Sequence, residues 1–276
     1  MKKILTTSLL AILIISMGYA QKPKMVDVEG GEFYMGNINS GEGDEAPEHK
    51  VSLKDFSVAE KEVTFDEFDL FCKNTSYPLP SDGGFGRGNH PVMNVSWMGA
   101  VLYCNWLSKK HRYDKYYLIE ADSAGTVKFK GINPEGEGNG YRLPTEAEWE
   151  YMATGGSESE GYAYAGSNIL DEVAWYAETT EARPHEVGTK KPNELGIYDL
   201  NGNAWEWCYD YYGSNYYAES PEENPTGPES GDARVYRGGS FNSAESFCRT
   251  TRRFSFSQNL DKGSIGFRLV RSVKAE

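Results

Sequence analysis

Basic residues are in deficit: 28 Lys and Arg stand against 41 Asp and Glu, a formal net charge of −13. Nucleic-acid binding needs a basic footprint, so this balance argues against it and favours solubility and cation binding instead. Histidine is scarce too. His49, His90, His111 and His185 include no pair at helical spacing, and Cys72, Cys104, Cys208 and Cys248 include no close pair of the zinc type. Long apolar runs are missing beyond the N-terminus. The one present, residues 4–17, is broken by Thr6, Thr7, Ser8 and Ser16 and is shorter than the roughly 20 residues a membrane-spanning helix needs.

That run follows Lys2 and Lys3 and leads into small Gly18 and Ala20 at the positions a signal peptidase reads, so residues 1–20 are expected to be a secretory signal peptide. Residues 21–276 would then be the mature chain, periplasmic or secreted and within the range of one large domain. Gln21 follows the expected cut, where a lipid anchor would need Cys. Export permits disulfides, and four cysteines allow three pairings. One or two disulfides are expected.

Short elements follow one another along the mature chain. Residues 25–28 alternate as a strand, and residues 30–36 carry a hairpin signal with a second short strand. Further strands are expected at 49–53 and 56–58. Thr64, with Glu67 three residues on, makes a capping box for an amphipathic helix bearing Phe65, Phe68, Leu70, Phe71 and Cys72. Ser96 caps a second helix over 97–110 with Cys104 on its buried face. Residues 113–139 form a polar surface insertion with one strand pair. Thr145 and Glu148, just after Pro144, cap a third helix. Residues 155–191 are loop-rich, and strands at 234–241 and 266–270 flank residues 248–256. The pattern is an α+β class chain, a single irregular loop-rich domain of short strands with about three short helices and its function in loops.

Residues 193–212, NELGIYDLNGNAWEWCYDYY, concentrate aromatics around a turn-rich centre. Asp199 and Glu206, with Asn201, Gly202 and Asn203 between them, could aim carboxylates and carbonyls at a hard cation such as calcium. Equally, Asn and Asp with Gly make a tight turn between aromatic strands, their side chains bonding their own backbone. Tyr209, Tyr211, Tyr212, Tyr216 and Tyr217 could stack on the rings of a carbohydrate, or pack against a loop-rich core with hydroxyls in water. Arg249, Arg252 and Arg253 beside Cys248 could hold an anionic ligand, or pair with the chain's own acids.

Taken in order, residues 30–36 (GGEFYMG), 62–64 (EVT), 90–97 (HPVMNVSW), 141–150 (YRLPTEAEWE), 202–207 (GNAWEW), 237–240 (RGGS) and 266–268 (GFR) resemble the formylglycine-generating enzyme, or sulfatase-modifying factor, family over nearly the whole mature chain. The resemblance implies a fold related to C-type lectins with bound calcium. Its ligands would be the Asp199 side chain, the Gly202 and Ala204 carbonyls and the Glu206 side chain.

Enzymes of that family oxidise a sulfatase cysteine to formylglycine with oxygen and a copper ion held by two cysteines between the Gly-Gly-Ser and Gly-Phe-Arg motifs. Here that interval holds one cysteine. Counting from Gly238-Gly239-Ser240 puts Ser243 at the first thiolate position and Cys248 at the second. Counting back from Gly266-Phe267-Arg268 puts Cys248 beside the second. Either way the pair is broken, because a hard, protonated Ser hydroxyl replaces one of the two soft thiolates that copper(I) wants. Cys248 is expected to be buried or disulfide-bonded, with Cys104 a candidate partner. The resulting expectation is an exported, non-catalytic binding or assembly module of the cell envelope. Its partner would be an envelope or secreted protein, a sulfatase among them, or a carbohydrate. The alternative is a sulfatase maturation factor with an altered site, in which Cys248 and Ser243 are catalytic.

Overall fold

Three helices begin at the expected caps. In the computed structural model, which describes residues 20–123, 126–133, 139–260 and 263–273, Thr64 Oγ1 accepts from Glu67 N at 3.4 Å while the Glu67 carboxylate accepts from Thr64 N at 2.8 Å. These two bonds satisfy donors that the first turn leaves orphaned and start helix α1, Phe65–Thr75. Ser96 Oγ accepts from Gly99 N at 3.1 Å to start α2, Trp97–Lys110, and the Thr145–Glu148 box starts α3, Glu146–Ala153. A fourth helix, α4, Leu170–Val173, was not foreseen: it is one turn without a side-chain cap inside a segment read as loop.

The strands form two four-stranded sheets and three pairs. In the first sheet, β4 (Phe56–Ala59) lies between β1 (Met25–Val28) and β14 (Val270–Ser272), with β7 (Tyr141–Arg142) on the far edge, all antiparallel. Segments from both ends of the described chain therefore close on one central, fully buried strand. The expected hairpin over residues 30–36 is not made with β1. Instead β2 (Glu32–Met35) pairs with β3 (His49–Ser52), because Gly30 crosses so close to Leu53 that a Cβ there would lie 2.2 Å from its carbonyl oxygen.

The second sheet has the order β12 (Arg253–Ser257), β11 (Ala233–Arg237), β10 (Trp205–Tyr211), β13 (Ile265–Gly266), the last pair parallel. The surface insertion carries the antiparallel pair β5 (Tyr117–Ala121) and β6 (Val127–Ile132), and β8 (Ala174–Trp175) runs parallel to β9 (Asn201–Gly202). The fold is a single α+β domain with helices and several small sheets, as expected. The expected signal peptide lies outside the described residues except for Ala20, whose carbonyl accepts from His111 Nε2 at 3.0 Å. No helix among the described residues is long and apolar enough to cross a membrane.

Two large apolar cores fill the domain, one around α1, α2 and Trp97 and Trp207, the other around α3, β4 and Trp149. Charge is buried between the second sheet and α3: Arg237 pairs with Glu146 at 3.0 Å and with Glu150, and Arg253 pairs with Glu146 at 2.7 Å. Removing one member of such a pair strands the other without water, at a cost of about 3–5 kcal/mol.

The expected disulfides are corrected: Cys72, Cys104, Cys208 and Cys248 are all free and buried. Cys104 sits in the helical core, Cys208 in the second core and Cys248 in a third cluster with Leu170, Val173, Ala174 and Tyr176, so apolar packing keeps the proposed partners apart.

Candidate functional site

The turn from Asp199 to Asn203 is built from left-handed residues. Asp199, Gly202 and Asn203 have φ of 60°, 82° and 57°, and at Gly202 a Cβ would stand 2.1 Å from the Trp175 carbonyl oxygen, so only glycine fits there. The Asn side chains do not bond their own backbone, as a simple turn would have it. Asn201 Oδ1 accepts from Ala165 N at 2.8 Å and its Nδ2 donates to the Cys248 carbonyl at 2.6 Å. Gly202 N donates to the Gly238 carbonyl, and the Asn203 carbonyl accepts from Phe241 N, both at 2.8 Å. Three successive residues of the turn thus hold the 238–248 loop at both ends and in the middle.

Behind the turn the structure brings Asp199 and Glu206 together with Glu62, all three at most 3% exposed. Both Glu206 oxygens face the Arg268 fork, at 2.6 and 2.7 Å, and one also accepts from Trp149 Nε1 at 2.8 Å. Glu62 accepts from Asn203 Nδ2 at 2.8 Å and Ala204 N at 2.9 Å, and Asp199 from Gly188 N at 2.6 Å. Burial pushes the Asp199 carboxyl up to about 6 and that of Glu62 well above the carboxylate range, the charges of Asp199 and Glu206 adding to the push on Glu62.

Three carboxylates stand beside one buried guanidinium, an excess of negative charge that suits a cation. The Arg268 fork already stands against Glu206, hydrogen-bond donors take both oxygens of Glu62, and among the described residues no three His, Cys, Asp or Glu converge as a metal-holding group. A calcium ion held by Asp199, Gly202, Ala204 and Glu206 would therefore share Glu206 with the Arg268 fork.

The 238–248 loop carries the other expected site. Ser240 Oγ donates to Asn242 Oδ1 at 2.8 Å, so the Ser243 hydroxyl must donate in the 2.9 Å contact between Ser243 Oγ and Ser240 Oγ. Ser243 Oγ also accepts from Ser240 N at 3.0 Å. Its proton is therefore engaged in a neutral network with no base. Cys248 is fully buried, and Gly239 must be glycine beside it, since a Cβ there, at φ 82°, would lie 2.6 Å from Cys248 Sγ. Burial, with Glu178 and Glu245 adding negative charge, pushes the Cys248 thiol up to about 12. A protonated buried thiol and a hydroxyl do not fit copper(I), which binds thiolates.

The remaining clusters are dispersed. Arg249 pairs with Glu45 at 2.8 Å, Arg252 with Glu42 at 2.8 Å and Arg253 with Glu146 at 2.7 Å, so the basic cluster is matched by the chain's own acids. The tyrosines make no single platform: Tyr211 covers the Arg234 guanidinium at 3.3 Å, Tyr212 donates to Asp44 Oδ2 at 2.8 Å, and Tyr217 is buried. The residues that sequence reasoning missed are Glu62, Trp149 and Arg268, and Asn201, named as a turn residue, was not foreseen to reach Ala165 and Cys248. Glu62, Trp149 and Arg268 lie inside the EVT, YRLPTEAEWE and GFR motifs, so the motifs marked them without revealing that they meet.

Comparisons with known proteins show the family and the fold. A family model described as the sulfatase-modifying factor enzyme 1-like domain matches residues 15–273. A chaperone protein, LppX, of Paenibacillus barcinonensis is 33% identical over 274 residues, covering 90% of this chain and 89% of its own. A formylglycine-generating enzyme of Streptomyces coelicolor is 31% identical over 320 residues, covering 91% of each chain. Among solved structures, Treponema denticola variable protein 1 superposes with a TM-score of 0.74 at 30% identity, covering 90% of this chain and 94% of that one.

Proposed function

The chain belongs to the sulfatase-modifying factor family, and we propose that it serves there as an exported, non-catalytic binding or assembly module of the cell envelope. The observation that carries this reading is the pair Ser243 and Cys248. One position offers a hydroxyl whose proton is already donated, and the other a buried thiol held protonated far above neutral pH. Thiolate chemistry needs the deprotonated sulfur, and neither position supplies it. The names of similar proteins decide nothing here, since one is a chaperone and another a formylglycine-generating enzyme.

What the loop offers instead is surface. Phe85, 39% exposed, rests on Phe241 with ring centroids 5.3 Å apart, and Phe247, 38% exposed, precedes Cys248. Aromatic groups on loops suit recognition of a protein partner, a secreted or envelope protein such as a sulfatase whose cysteine motif is bound and left unmodified.

The test is mass spectrometry of a sulfatase-motif cysteine peptide incubated with the mature protein, copper and a reductant, beside a two-cysteine enzyme as control. The peptide is expected to keep its thiol. Conversion to the aldehyde that is lost in Cys248→Ser would replace this reading with that of a sulfatase maturation factor working with an altered site.

A further inference from the structure

A groove of about 540 Å³ lies between the end of α1, the outer face of α2 and the β5–β6 pair, and it shares no residue with the 238–248 loop or its supporting turn. Its apolar surface comes from Phe71, Tyr77, Leu102, Trp106, Ile119 and Val127. The hairpin wall is fixed to the helix by a buried side chain acting as a strand: Asn105 Nδ2 donates to the Tyr117 carbonyl at 2.8 Å and its Oδ1 accepts from Tyr117 N at 3.0 Å. The groove is therefore a built feature between two elements held in fixed relation.

Its charge is the opposite of the chain's. Lys109 and Lys115 are the charged residues that line it, with no acid, in a protein of net charge −13. Three other grooves carry Glu in their lining. Among the described residues no ion pair engages either ammonium.

The two characters are also ordered along the groove. Leu102, Trp106 and Lys109 stand at helical spacing on one face of α2, so the apolar wall gives way to the cation in the last turn, where the helix dipole also favours positive charge. Lys115, just beyond the helix, lines the groove beside the hairpin.

We infer that this groove binds a small amphiphilic anion, a long-chain carboxylate, with its hydrocarbon along Leu102 and Trp106 and its head at Lys109 and Lys115. The volume lies within the range of small-molecule sites. A hydrocarbon tail gains from the apolar wall in proportion to the surface it covers, and the head group selects the end. The inference is independent of whether the 238–248 loop has any activity.

Isothermal titration calorimetry with sodium laurate below its micelle concentration is the test, with dodecyl maltoside as the same chain bearing a neutral head and acetate as the head without a chain. Laurate is expected to bind one to one, dodecyl maltoside about tenfold more weakly and acetate not at all. The double variant Lys109→Gln, Lys115→Gln should weaken laurate about five- to tenfold, as expected of exposed charge pairs, and leave dodecyl maltoside unchanged. Leu102→Glu, on a half-buried position whose fold is checked by circular dichroism, should abolish laurate binding. No heat with laurate, equal affinity for both twelve-carbon probes, or laurate binding unaffected by removal of the two lysines would each overturn the inference.

Discussion

The acid cluster behind the turn and the loop in front of it share a set of backbone bonds but not a kind of chemistry. Behind the turn, Glu62, Asp199 and Glu206 are charged or chargeable groups whose oxygens meet specific donors, with Arg268 fully buried against Glu206. In front, the 238–248 loop offers Ser240, Asn242 and Ser243, neutral groups that satisfy one another, beside a protonated Cys248. Stranding a buried charge costs about 3–5 kcal/mol, whereas stranding a buried neutral donor or acceptor costs about 1–3 kcal/mol. The scaffold side is thus tightly constrained, and the side that would carry chemistry in a thiolate enzyme is free to change.

Removing the cation should reveal the sharpest contrast. Arg268→Ala leaves Glu206 buried with Trp149 Nε1 as its remaining donor, and guanidinium denaturation is expected to show a loss of about 3–5 kcal/mol. Ser243→Ala removes hydrogen bonds to Ser240 alone and should cost about 1 kcal/mol. Similar losses in both variants would dissolve the distinction between the two sides.

The next effect is set by pH. Burial raises the folded-state Asp199 carboxyl to about 6, above its unfolded value near 3.9. A raised group binds its proton more tightly when folded, so its contribution is fully present below about pH 4 and is lost as pH rises through about 6, after which it stays flat. Asp199→Asn keeps an oxygen to accept from Gly188 N and removes that ionisation. Stability measured by urea denaturation between pH 4 and 7 should lose this part of its slope, and the variant should be more stable at pH 7 by as much as about 3 kcal/mol. An unchanged slope would place the Asp199 charge in contact with water or an ion.

How much of this the sequence disclosed depends on the range of the interaction. The caps at Thr64, Ser96 and Thr145 are local, each decided within three residues, and they set three helix starts correctly. The acid cluster is not local: Asn203 meets Glu62 across 141 residues and Arg268 meets Glu206 across 62. The motifs containing these residues were legible as a resemblance, yet nothing in their spacing says that the Arg268 guanidinium stands against Glu206. The disulfide expectation failed for the same reason, because a redox argument names eligible thiols while packing places the expected partners Cys104 and Cys248 in separate cores. Pairing of β2 with β3 instead of β1 likewise depends on where Gly30 crosses Leu53, which lies outside any turn signature.

Calcium should give the smallest effect, and for a reason that Arg268 can test. A ligand that binds only the folded state raises its melting temperature by mass action, so millimolar calcium or a chelator reports directly on the site. With the guanidinium fork against Glu206, neither is expected to move the melting temperature of the native chain. In Arg268→Ala the same three carboxylates lose their buried guanidinium, and the negative charge they leave is what a divalent ion with oxygen ligands would neutralise. Calcium should then recover part of the lost stability in the variant while leaving the parent unchanged. A clear rise in the parent would mean that calcium and Arg268 share Glu206, and would restore Asp199, Gly202, Ala204 and Glu206 as a ligand set. No recovery in the variant would mean that the cluster's geometry, and not the guanidinium, keeps calcium out.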